Sequence, residues 1–139
     1  MKKAMPVRLL LLSMVLITAC GMQAQKEPPA GVQANEAMAR AVAQSLVNRN
    51  FDAARADFDS AMQSGLSNEK LEEVWNQYAG PLGAFKDFGQ TYIEYVGTAP
   101  CIFIPCNFEN GGLVVQVTQD AQGTRVTGLF LRPPGFSLL

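Results

Sequence analysis

The hydrophobic period changes at Gly89, and that change limits the fold more than any other feature of the chain. Before it, apolar residues recur every three or four positions; after it, they alternate. From Asn35 to about Asn48, Met38, Val42 and Leu46 recur beside Ala39 and Ala43, a helix whose small residues permit close packing. Asn50 can cap a second helix with Phe51, Ala54, Phe58 and Met62 on one face and Gly65 at its end. Arg55 lies between Asp52 and Asp59 at i,i+3 and i,i+4, so these charges read as a solvated face rather than a cation site. In LSNEKLEEVWNQY, Ser67 is an N-cap, Leu66 can meet Leu71 as a hydrophobic staple, and Leu71, Val74, Trp75 and Tyr78 form a helical stripe. Gly80-Pro81 interrupts it, and Leu82 and Phe85 continue the apolar face through an irregular turn.

Beyond Gly89, TYIEYVG, IFIPCNF, LVVQVTQ and RVTGLFL read as four strands. Asn110-Gly111-Gly112 and the DAQG stretch at 120–123 are hairpin turns, which makes neighbouring strands antiparallel. Ile102, Ile104, Cys106 and Phe108 share one face. In the last strand Val126, Gly128 and Phe130 fall on one face and Leu129 and Leu131 on the other. Those leucines predict a partly covered outer face, under either the tail PPGFSLL or a second subunit. The expected fold is α+β, three N-terminal helices packed on one face of a four-stranded antiparallel meander.

The chain opens with Lys2, Lys3 and Arg8, followed by an apolar run from Leu9 to Ala19. A membrane-crossing helix needs about 20 apolar residues, so this shorter run suits a secretory signal. Ile17-Thr18-Ala19-Cys20 resembles the lipobox of bacterial lipoproteins. The resemblance implies cleavage before Cys20, lipidation of its sulfur and acylation of the new amino terminus, a stable anchor because it carries more than one chain. Gly21 in place of aspartate implies outer-membrane sorting where the source has two membranes, with the domain facing the periplasm or exterior. The expected organisation is therefore a signal at 1–19, a lipidated Cys20 with a flexible Gln/Ala/Gly/Pro tether to residue 35, and one domain over 36–139.

Cleavage lowers the basic count from 11 to 8 while 12 acids remain, a balance of −4 with no basic run. That argues against a nucleic-acid partner and leaves lipid as the membrane contact. The sequence contains no histidine, which removes the commonest general base and metal ligand. No cofactor or metal is expected, and no catalytic residue is assigned.

NRNFDAARADFDSAMQSGLSNEKLEEVW, LGAFK, FENGGL and GLFLRP together resemble a bacterial domain family of unknown function, over about residues 38–134. Its members occur as envelope proteins and ahead of some α/β-hydrolase domains. The shared positions, including Phe51, Ala54, Leu71 to Trp75, Gly83, Phe85, Lys86, Phe108 and Gly128-Leu129, are mostly packing and turn positions. The family is similar to nuclear-transport-factor-2-like folds, which implies a curved, cone-like sheet around helices. Such cones serve enzymes, ligand binders and dimerisation modules alike. No G-x-S-x-G elbow is present, so hydrolase activity is not expected.

Cys101 and Cys106 leave two readings open. An exported chain favours a disulfide. One extended strand would instead hold their Cα atoms roughly 16 Å apart, against the about 4.4–6.8 Å a disulfide needs. Functionally, the sequence favours a lipid-anchored, non-catalytic domain that binds an envelope protein or peptide, or a second copy through the outer sheet face. The alternative is a small apolar ligand between sheet and helices, in a pocket lined by Phe58, Trp75, Tyr78 and Phe108. Glu94, set among Tyr92, Tyr95 and Val96, is the one acid that invites inspection as a catalytic carboxylate; a solvent-facing strand position is its ordinary explanation.

Overall fold

Polar caps fix where the helices begin. The computed structural model describes residues 23–139, so the signal and Cys20 lie outside the described residues. Asn35, Asn50 and Ser67 each accept a backbone N–H three residues on, from Met38, Ala53 and Lys70. Each such cap stabilises its helix by about 1 kcal/mol. In chain order the elements are β1 (Ala24–Gln25), α1 (Glu36–Val47), α2 (Phe51–Ala54), α3 (Ser60–Gly65), α4 (Asn68–Ala79) and a 3-10 turn (Gly80–Leu82). Then follow β2 (Phe85–Phe88), β3 (Tyr92–Val96), β4 (Ala99–Phe108), β5 (Gly111–Gln119) and β6 (Val126–Arg132).

The expected three helices on a four-stranded meander need correction. One sheet of six strands, all ladders antiparallel, runs β1-β3-β4-β5-β6, with β2 also paired to β4. Four helices lie between β1 and β2. The sheet thus begins inside the stretch whose composition reads as tether: Ala24 and Gln25 pair with Val96 and Tyr95, and the Gln33 N–H donates to the Ala121 carbonyl. Two residues are too few to show a period, which is why β1 left no signal. β2 is hidden for a related reason, since Phe85 and Phe88 lie three apart and imitate a helical face.

The second helix is also not continuous. At residues 57–59 the chain extends and bridges β6: the Val126 N–H donates to the Asp57 carbonyl at 2.7 Å, and the Asp59 N–H to the Val126 carbonyl at 2.9 Å. Asp59 then caps α3 through the Met62 N–H. The break abolishes the i,i+4 relation with Arg55, whose guanidinium instead donates to the Leu66 and Gln63 carbonyls and to Asn68.

Ile102, Ile104, Cys106 and Phe108 face the helices with Leu113, Val115 and Val117, and pack against Leu46, Phe58, Leu71 and Trp75. Leu129 and Leu131 belong to this side as well, contrary to the strict alternation expected of β6. A bulge opposite Thr118 and Gln119 adds one residue to β6, so Val126, Leu129 and Leu131 share the core face and Phe130 turns outward.

Gln119 ties this sheet to α1. Fully buried, its Oε1 accepts the Asn35 N–H at 2.8 Å and its Nε2 donates to the Asn35 carbonyl at 2.7 Å. The side chain thereby pairs with backbone as a neighbouring strand would. Gly123 allows the approach: its φ is +66°, and a Cβ there would stand 2.7 Å from the Gln33 carbonyl oxygen.

Candidate functional site

The outer face of the sheet carries a second apolar cluster. Cys101 and Phe103 of β4 point away from the helices and meet Val114 of β5, with Tyr92 and Val96 of β3 beside them. Segment 133–139 lies over this floor. Its course is set by a turn in which the Phe136 N–H donates to the Pro133 carbonyl and Gly135 has φ +77°. Proline second and a positive-φ glycine third is the type II pattern. Phe136 then packs on Phe103, with ring centroids 6.1 Å apart, and Leu138 completes the cover. The stretch at 133–139, one of the two coverings the sequence allowed for this face, lies over it.

Polar contacts fix the strap in register. The Tyr92 hydroxyl donates to the Phe136 carbonyl. Glu94 does not face solvent; it is 3% exposed, and its carboxyl oxygens accept the Ser137 hydroxyl at 2.5 Å and the Leu138 N–H at 2.8 Å. Arg132 lies over the rings of both Phe130 and Phe136, at 4.7 and 4.6 Å, while its Nε donates to Gln116. Burial, then the negative charge of Glu94, raises the Tyr92 pKa, so its phenol stays protonated and keeps donating. Beside the strap opens a cavity of about 480 Å³, lined by Tyr92, Ile93, Glu94, Phe136 and Ser137, with Lys26 at its rim.

The other singled-out residues do not form a site together. Phe58, Trp75 and Phe108 are core residues, with Trp75 and Phe108 6.3 Å apart, whereas Tyr78 is 53% exposed. Tyr78 lines a separate apolar cleft with Leu82, Leu113, Leu131 and Pro133-Pro134. The cleft beside Trp75 and Phe108 measures about 160 Å³, below the roughly 300 Å³ at which ligand pockets begin.

Cys101 and Cys106 are both free and buried in the single strand β4. Five residues apart, they stand on opposite faces of the sheet, so the strand reading describes them and the disulfide reading does not. Burial pushes the Cys106 thiol up to about 12. Burial also raises Cys101, against the lowering effect of hydrogen bonds from Thr118 and Gln116. Neither supplies a thiolate nucleophile at neutral pH. Cys106 is expected to resist iodoacetamide until the domain unfolds, read by site-resolved mass spectrometry; alkylation of the native protein at a free-thiol rate would contradict this packing.

Residues 39–128, spanning α1 to the middle of β6, match the family described as "Protein of unknown function (DUF3887)". The chain belongs to the DUF3887 family. Among solved structures, an NMR structure of a protein from Ruminococcus gnavus ATCC 29149 superposes with a TM-score of 0.60 at 16% identity, covering 78% of this chain and 98% of that one. That likeness carries the fold alone. No curated protein matches the chain. The DUF3887 match ends before Arg132 and the strap, and begins after Lys26, so the outer-face cover and the rim of its cavity lie beyond the matched stretch. Sequence reasoning missed the parts Arg132, Lys26 and Gln119 play; the Pro-Pro-Gly signal at 133–135 was available and fixes the reversal that brings the strap back.

Proposed function

We propose that this DUF3887-family protein is a lipid-anchored envelope protein, held through Cys20, whose domain is a non-catalytic protein- or peptide-interaction module. What supports the interaction role is the second apolar cluster at Cys101, Phe103 and Val114, on a sheet face that the helical core does not need. Support for a non-catalytic role comes from its chemistry-bearing groups: Glu94 is hydrogen-bonded into the strap, and both buried thiols are held protonated. The lipobox resemblance supports the anchor. Among the described residues no helix is long and apolar enough to cross a membrane.

Under this reading the domain sits close to the bilayer. Three residues separate Cys20 from Ala24, whose strand is paired to β3, and the four steps between them reach at most about 14 Å. Mass spectrometry of the native protein should find Cys20 as the first residue, carrying a diacylglyceryl group and an acylated amine. Cys20→Ser should move the protein from the membrane to the soluble fraction. An unmodified Cys20 would remove the anchor from this reading.

A further inference from the structure

We propose that the outer face of the sheet is a docking groove for an extended peptide of a partner protein, and that segment 133–139 occupies it as a displaceable stand-in. The inference deepens the interaction role above and does not depend on the anchor. The strap is held as a ligand is held. Tyr92 donates to one of its backbone carbonyls and Glu94 accepts one of its backbone N–H groups, contacts any extended peptide can make. Side-chain selection is added by the Phe103 floor under Phe136, by the hydroxyl contact of Ser137 to Glu94, and by the apolar seat of Leu138. The matching peptide therefore presents an aromatic, a small hydroxyl-bearing and an aliphatic residue in succession.

Displacement requires something the strap does not have, because a tethered segment competes at an effective concentration on the order of millimolar. The cavity of about 480 Å³ along the strap supplies it. Its rim carries the exposed Lys26, which takes part in no ion pair among the described residues. A partner peptide with an acidic side chain next to the aromatic-hydroxyl-aliphatic run can fill this space and meet Lys26. None of residues 133–139 carries an acidic side chain, so exchanging straps between copies adds no side-chain partner for Lys26, whereas a foreign peptide can.

The test uses the full chain and synthetic peptides containing Gly-Phe-Ser-Leu, unflanked or flanked by glutamate on either side. In the wild-type protein, Cys101 under the strap should be alkylated at least about tenfold faster than Cys106, since local opening needs less free energy than global unfolding. A peptide with a photoreactive phenylalanine analogue should cross-link within residues 92–103. With the strap released by Phe136→Ser and Leu138→Ser, one glutamate-flanked peptide should bind about tenfold more tightly than the unflanked one, a difference of about 1.4 kcal/mol. Lys26→Gln should erase that preference. Equal alkylation of the two thiols, cross-links elsewhere or none, or a wild-type dimer formed by strap exchange would each overturn the proposal. The cross-linking arm keeps it decidable if the released variant does not fold. Failure here with a lipidated Cys20 would leave the anchor standing, and the reverse result would leave the groove standing.

Discussion

Trp75→Ala is expected to cost about 3–5 kcal/mol, the range for emptying a buried aromatic site. Trp75 is 4% exposed and lies where α4 meets the sheet, against Phe108 and the rest of the helix-side core. Domains of this size are stable by only about 5–15 kcal/mol in total, so the variant should be close to unfolding at physiological temperature. In urea the midpoint should fall sharply while the slope stays that of the wild type. Trp75→Phe keeps most of the apolar contact and should lose far less. A Trp75→Ala protein melting within a few degrees of wild type would mean that α4 contributes little to the fold.

The second large effect belongs to Gln119. Gln119→Leu keeps the volume but leaves the Asn35 N–H without its acceptor at the start of α1, while the Asn35 carbonyl keeps only the Ala39 N–H. The expected loss is about 2–3 kcal/mol, the cost of stranding buried polar groups. Gln119→Glu gives a signed test. When ionised, its second oxygen would face the Asn35 carbonyl from a fully buried site, so its folded pKa must lie above the unfolded value. Stability is then fully present below the unfolded glutamate pKa and is lost as pH rises through the folded one. Thermal melts should therefore show this variant nearest to wild type in acid and furthest from it above neutrality. A pH-independent deficit would show that residue 119 does not meet Asn35 as described.

Local signals that do not depend on distant partners were readable from the sequence. Asn35, Asn50 and Ser67 cap helices because their side chains reach their own next turn, and Ile102 to Phe108 alternate because that strand is long enough to show a period. What was not readable came from long-range pairing. The chain extends at Asp57–Asp59 because Val126, far along the sequence, offers backbone partners. The β6 bulge reassigns Leu129 and Leu131 to the core for the same kind of reason. In the candidate site, the outer face is covered, but Leu129 and Leu131, the residues that point to a cover in the sequence, face the helices. Glu94 stands out among its tyrosine neighbours, but its partners Ser137 and Leu138 lie more than forty residues away and leave no local trace.

Pro105 marks where the edge of β4 passes from one neighbour to another. Residues 99–103 of β4 pair with β3 and residues 106–108 with β2, and the Pro105 carbonyl accepts the Gly89 N–H in the seam between them. Proline lacks a ladder donor, and it stands at the position where the ladder has none to receive. The border is thus divided into strands of four and five residues, with only two residues of β1 beyond. Short, interrupted borders are poor templates for adding foreign strands. Along that side the sheet consequently offers little for a second molecule's backbone to extend.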